Sequence, residues 1–366
     1  VISFRFPKWI AIFVPTSLKT INHVTPEDLK KVTILDIAKE LNITFSTVAR
    51  ALNDHPAISA STKQAVREVA ERLGYRPNKV ASSLRSGKTK IIGILVPRLD
   101  VSFFSSVVHG IEGVMNENGY TILLYQSQEA LKQEKKGIET FLRSRVDGII
   151  ASISLETEGD GGFAEVRERN IPLAFFDRVP QGLDVPAVTI DDYRGGFMAT
   201  EHLIRSGYRR IVHINQYRNI NIFNERLRGY LDALRRYNIP VDERLIIKGE
   251  FSLAFGRQCV RDLLAADIAF DAVFTLEDFT AMGVVQELKA AGKRIPDEVG
   301  VVGFANEAFS SLVSPAISTV DQRTVEMGEE VARLFLKLLR KGDYYKHRPE
   351  KLVLEPKLLV RESSSR

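Results

Sequence analysis

The chain has 366 residues, 51 of them Lys or Arg and 46 Asp or Glu, for a formal net charge of +5. That length suits two or three domains, and 44% apolar with 27% charged residues is an ordinary globular composition. A single cysteine, Cys259, excludes an intrachain disulfide and a multi-cysteine zinc site, and no apolar run approaches the roughly 18 residues of a membrane-spanning helix.

The charge is unevenly spread. Residues 32–90 carry ten Lys/Arg against five Asp/Glu, whereas residues 91–366 carry 36 against 39. A basic segment of this size points to a polyanionic partner. Ahead of it, residues 1–31 read as an extension of little order. The apolar run Trp9–Val14 is short for a secretory core, Pro15 interrupts it, and no small-residue cleavage pattern follows.

Three short helices are predicted next. Ile34, Ile37, Ala38 and Leu41 recur at the spacing of one buried helical face, with Thr33 as N-cap and Asp36 as its acidic capping-box partner. Asn42 tolerates the turn that follows. Thr44 caps a second helix, in which Val48, Ala51 and Leu52 face inward while Phe45, Ser46, Ala49, Arg50 and Asn53 project elsewhere. Ser59 caps a third, with Val66, Val69, Ala70 and Leu73 on one stripe and Gly74 at its end. Two short helices joined by a tight turn and braced by a third describe a helix-turn-helix. Periodicity alone fits a plain three-helix bundle equally well.

The residues decide further. From Val32 to Pro97, with "VTILDIAKELNITFSTVARALN", "YRPN" and "IGILVP", the chain resembles the N-terminal module of the lactose-repressor (LacI) family of bacterial transcription regulators. Asn42 stands where a turn Gly is usual, and Ala49 where a Ser is common. The resemblance implies that Phe45 and Ser46 choose the operator half-site. Phe45 can offer only apolar contact, or else tuck against a neighbouring helix; Arg50 is suited to a bidentate grip on guanine. Thr33, Thr44, Thr47 and Asn53 are suited to phosphate contacts. The segment "PNKVASSLRSGKTK" matches the family's hinge helix. There Asn78 caps, Ala81 lets two copies approach, Lys79 and Arg85 lie near phosphates, and Leu84 wedges between base pairs in the minor groove.

From Ile91 the chain alternates apolar strands with amphipathic helices: "IIGILVP", Ser105–Asn118, "TILLY", Gln133–Ser144, "DGIIA", "PLAFF" and "AVTI". Tyr193–Ser206, "RIVHI", Glu225–Tyr237, "LIIKGE", "DAVFT", a helix near Phe279–Ala290 and "EVGVVGF" continue the rhythm. Such alternation means parallel sheets covered by helices on both faces. "NENGYTILL" and "IRSGYRRIVHI" echo one another, which suits two α/β lobes. Phosphate-loop, zinc-protease, nucleophile-elbow and dinucleotide motifs are missing, and the six histidines lack metal spacing. His109 and His213 read as packing or surface residues.

The resemblance extends over this part too, to the effector-binding domain that shares its fold with periplasmic sugar-binding proteins. The expected fold class is thus a small all-α helix-turn-helix DNA-binding domain plus a two-lobed α/β domain with parallel sheets. Its boundaries are 32–77 for the head and 78–90 for the hinge and linker. Residues 91–360 form the lobes, 91–189 with 318–341 and 190–317 with 342–360. The resemblance places ligand contacts at Phe103, Phe104, Asp177, Arg178, Arg226, Phe251, Asp278 and Asn306. The three Phe are equally readable as core, Asp278 as an N-cap, and Arg226 as the partner of a carboxylate. Asn306 follows Ala305 in "GFANEAF", where many relatives have an Asp pair. The implied partners are double-stranded operator DNA, a small effector that is a carbohydrate, and a second copy of the chain. No leucine heptad follows the last strand-like run, so a dimer is expected. No cofactor, membrane contact or enzymatic role is expected, and the location is cytoplasmic. The alternative is a periplasmic-type solute-binding protein without a DNA-binding role, which leaves the basic helical segment without purpose.

Overall fold

The structure, a computed structural model, describes residues 32–75, 87–218, 220–342 and 344–366. The expected extension 1–31 and the expected hinge residues Asn78, Lys79, Ala81, Leu84 and Arg85 lie outside the described residues. The chain divides into two compact units, residues 1–85 and 86–366.

The first unit contains α1 (Ile34–Glu40), α2 (Phe45–Leu52) and α3 (Ala60–Arg72). Capping sets each start. The backbone N and Oγ1 of Thr33 both donate to Asp36 Oδ2 at 2.7 Å. Thr44 Oγ1 accepts from the Thr47 amide, and Ser59 Oγ from the Thr62 amide, each at 3.2 Å. Asn42 takes φ 48° in the turn between α1 and α2. Ile37, Val48, Ala51 and Val66 are fully buried where the three helices meet, as the period required.

The second unit holds two six-stranded sheets. The first is built from β1 (Ile91–Val96), β2 (Thr121–Gln126), β3 (Gly148–Ala151), β4 (Leu173–Phe176), β5 (Ala187–Ile190) and β11 (Lys351–Leu354), all parallel, in the order β11-β5-β4-β3-β1-β2. The second comprises β6 (Ile211–Gln216), β7 (Ile246–Gly249), β8 (Ala272–Thr275), β9 (Gly300–Phe304), β10 (Ser318–Asp321) and β12 (Lys357–Leu359). Its order is β12-β10-β9-β8-β6-β7, parallel except for the β10–β12 pair. Helices α4 (Ser102–Glu117) and α11 (Thr324–Lys341) share a core on one face of the first sheet, α5 (Leu131–Arg143) and α6 (Phe163–Glu168) on the other. The second sheet has α7 (Asp192–Arg205) and α8 (Asn221–Arg236) on one face, α9 (Leu253–Ala265) and α10 (Asp278–Ala290) on the other.

Three helix pairs cross so closely that each helix presents a glycine to its partner's backbone. A Cβ on Gly110 of α4 would run into the Val325 carbonyl, and one on Gly328 of α11 into that of Val107. Gly196 with Gly229, and Gly256 with Gly283, repeat the arrangement in α7–α8 and α9–α10.

The expected lobe boundaries need correction. Of the span 318–341 expected in the first lobe, α11 does pack on the first sheet, but β10 pairs with β9 in the second. Of the span 342–360 expected in the second lobe, β12 does join the second sheet, but β11 pairs with β5 in the first. The chain therefore crosses between the sheets after β5, after β10 and after β11. β10 (STVD) and β11 (KLVL) are four-residue strands with no local signal for either sheet, so only their pairing reveals the lobe they join.

Candidate functional site

On the helix-turn-helix unit, the outward face of α2 agrees with the sequence reading. Phe45 is 58% exposed, which removes the alternative that it tucks against a neighbouring helix. Ser46 and Arg50 are exposed beside it, and the Arg50 guanidinium has no ion-pair partner among the described residues. Thr44 and Thr47 join their hydroxyls at 2.9 Å. Asn53 turns its amide back onto the Ala49 carbonyl at 2.8 Å, closing the helix. The face thus presents one apolar ring, one hydroxyl and one free guanidinium, groups that can contact a thymine methyl, a base edge and a guanine.

In the α/β unit a cleft opens between the lobes at the carboxyl ends of the parallel strands, where such sheets hold ligands. Its inner chamber has a volume of about 400 Å³. Six of the eight expected residues line it. Phe103 and Phe104 stand on the first turn of α4, edge to face at 5.0 Å, and serve both as wall and as core. Asp177 and Arg178 follow directly on β4, with Asp177 in the left-handed region at φ 58°. Arg178 Nη1 donates to both carboxylate oxygens of Glu129, at 3.1 and 2.9 Å. Its guanidinium lies 5.4 Å from the Phe104 ring centre. Phe251 is half-buried and meets Phe223 edge to face.

Arg226, on α8, does pair with a carboxylate, but within its own lobe. Its Nε donates to Asp192 Oδ1 at 2.8 Å, Nη1 to the Leu276 carbonyl and Nη2 to Gln322 Oε1, both at 3.2 Å. The cation sits 3.8 Å from the centre of the Phe304 ring. Burial pushes the Asp192 carboxyl up to about 7, against the pull of Arg226. Asp177 is raised as well, by burial, against the pull of Arg178 and Arg226.

Two expected residues do not line the chamber. Asp278 is the first residue of α10, while Glu277 before it is the N-cap, accepting from the Thr280 amide at 2.6 Å. The Asp278 side chain runs beneath the cleft, fully buried, and accepts from Thr319 Oγ1 and the Glu307 amide at 2.7 Å each. Asn306 turns its Oδ1 to Arg361 Nη2 at 2.7 Å, away from the chamber; Ala305, at φ 109°, lines it instead. Glu277, Glu129, Tyr217, Phe223 and Gln322 are wall residues the sequence reading missed. Of these only Glu277 had a local signal, as the first of two acids at a helix start. One hydrogen bond, from Ser102 Oγ to Glu307, ties the lobes across the cleft.

The family model for bacterial regulatory proteins of the lacI family matches residues 33–78, and that for a periplasmic binding protein-like domain matches residues 200–364. The HTH-type transcriptional regulator RegA of Clostridium saccharobutylicum is 32% identical over 333 residues, which span 90% of this chain and 98% of that protein. The chain belongs to the lacI family of bacterial regulatory proteins. Among solved structures, a complex of the transcriptional regulator CelR with cellobiose superposes with a TM-score of 0.68 at 28% identity, covering 91% of this chain and 99% of that one. A lac repressor dimer bound to operator and the anti-inducer ONPF shares the fold, with a TM-score of 0.81 at 23% identity over 92% and 99% of the two chains. As a lacI-family member this chain is a DNA-binding transcriptional regulator. Among its described residues no helix is long and apolar enough to cross a membrane.

Proposed function

We propose that this lacI-family protein represses transcription from the cytoplasm by binding a pseudo-palindromic operator as a homodimer, and that a carbohydrate in the cleft sets its operator affinity. The observation that carries the reading is the α2 face, where Phe45, Ser46 and Arg50, the last without an ion-pair partner among the described residues, stand exposed together. A solute-binding protein without a DNA role has no use for such a face. The carbohydrate rests on the CelR complex with cellobiose and on a wall that mixes aromatic rings with carboxylates and guanidinium groups. On this reading the small molecule acts as an effector, neither substrate nor cofactor. Following the family resemblance, Leu84 is the wedge between base pairs in the minor groove, Lys79 and Arg85 lie near phosphates, and Asn78 and Ala81 complete the hinge. Coupling is reciprocal, so operator DNA changes carbohydrate affinity by the factor that carbohydrate changes operator affinity.

The test is fluorescence anisotropy with a library of palindromic duplexes over a salt series, with and without mono- and disaccharides. A selected operator should bind far more tightly than a scrambled duplex, with a steep salt dependence. Leu84→Ala should reduce specific binding much more than non-specific binding. Failure to select any duplex under all conditions refutes the reading.

A further inference from the structure

The inner chamber accounts for one small ligand, yet the cleft holds a second, larger chamber of about 910 Å³. The two adjoin across Leu155, Glu156, Asp177, Arg178, Tyr217 and Arg218, which stand in both walls. Each volume falls within the ~300–1,000 Å³ of small-molecule sites. We propose that the outer chamber is a second sugar subsite, so that the effector is an uncharged carbohydrate of at least two rings. This rests on the carbohydrate reading above and adds its size and charge.

Three observations at the junction support it. Asp177 is only 5% exposed, and its carboxylate accepts no hydrogen bond from a described residue; its nearest cation, Arg178 Nε, is 3.7 Å away, beyond hydrogen-bond reach. Asp177 lines both chambers, so hydroxyl groups of a ligand reaching into both can donate to its carboxylate. Tyr217 is 48% exposed, unusual for a residue facing a cleft. Its hydroxyl is anchored on Glu250 at 3.0 Å, and the Arg218 guanidinium stands 5.2 Å from its ring centre. A positioned aromatic surface of this kind is a platform for the C–H face of a sugar ring.

Charge sets the class. Six acids in the outer wall, Glu156, Glu158, Asp177, Asp191, Asp192 and Glu225, outnumber three cations, Arg178, Arg218 and Lys351; Glu225 is paired with Arg228 at 2.5 Å and Lys351 with Asp184 at 3.0 Å. Field lines from such a wall concentrate in the cleft and repel phosphate or carboxylate groups. A neutral oligosaccharide escapes this penalty.

Isothermal titration calorimetry of the full chain decides the matter, using maltose, cellobiose, lactose, sucrose and trehalose, their component monosaccharides, and glucose 6-phosphate. At least one disaccharide should bind ten times more tightly than either of its components, with glucose 6-phosphate weaker than glucose. Val353→Trp, on an exposed residue of the outer wall alone, should cost that disaccharide at least tenfold and its monosaccharide less than threefold. Tyr217→Ala should likewise cost the disaccharide more than the monosaccharide. A monosaccharide that matches every disaccharide, or a tighter phosphate, overturns the second subsite while leaving a carbohydrate effector in place. So does a Val353→Trp protein that keeps its full disaccharide affinity. If no carbohydrate binds a protein that still binds its operator, the carbohydrate reading itself falls, and the subsite with it.

Discussion

The two units hold their functional groups in opposite states. On α2 of the head, Phe45, Ser46 and Arg50 face solvent, and Arg50 has no ion-pair partner among the described residues. In the cleft, Arg178 is held by Glu129 and Arg226 by Asp192, at 2.9 and 2.8 Å for the closest contact of each pair. The reason is dielectric. An exposed guanidinium waits in water at little cost and exchanges water for phosphate or base on binding. A buried one must be compensated beforehand, since an unpaired charge in the interior is strongly destabilising. Substitutions on the head should therefore change recognition without changing stability, whereas those in the cleft should change both.

The largest effect should come from Arg226→Ala. It leaves the Asp192 carboxylate, the Leu276 carbonyl and Gln322 without their donor, and breaking a buried pair from one side costs about 3–5 kcal/mol. Urea unfolding should register that loss at pH 8. At pH 5.5 the loss should be smaller, because Asp192, already pushed up to about 7 by burial, takes a proton instead of remaining a buried anion. An equal loss at both values would mean that the pair is not what holds this wall.

Arg50→Ala should do the converse. Loss of one bidentate base contact costs about 1–3 kcal/mol of discrimination, read as a fall in operator affinity of roughly tenfold or more. The urea midpoint should stay within about 0.5 kcal/mol of the parent, as for other exposed positions. A comparable fall in stability would break the contrast between the units.

The same contrast explains what was legible beforehand. The head was readable almost residue by residue because its determinants are local. Thr33, Thr44 and Ser59 cap within three residues of themselves, and Ile37, Val48 and Val66 are buried at the helical period. The alternation of strands and helices gave the layered sheets for the same reason. In the cleft the determinants are distant. Asn306 is drawn off by Arg361, 55 residues later, and Gln322 enters the wall only because β10 joins the second sheet. At "LED" two acids begin one helix. Which of them caps depends on the extended backbone of Glu277, φ −158° and ψ 157°, and composition does not encode that choice.

Asp278 consequently has a different duty, and the smallest of the expected effects tests it. Its carboxyl lies under the segment that carries Ala305 into the chamber wall, taking hydrogen bonds from Thr319 and the Glu307 amide. Burial pushes it up to about 8, and the neighbouring Glu307 and Glu277 add repulsion in the same direction. In the unfolded chain an aspartate releases its proton near about 3.9. Between these values the folded state binds more protons than the unfolded state, so stability falls as pH rises and levels off above about 8. Asp192 contributes a similar slope that has fallen to half its height at 7 and fades above it, so the interval from pH 7 to 8 falls largely to Asp278. One proton is worth at most about 1.4 kcal/mol per pH unit; the parent should lose about 1 kcal/mol across that interval. Asp278→Asn keeps a carbonyl oxygen for Thr319 and has no proton to release, so it should lose only about a third of a kcal/mol over the same interval, the share of Asp192. Parallel slopes for the two proteins would show that this carboxyl is ionised well below pH 7, and that the segment behind the cleft is held by charge rather than by a retained proton.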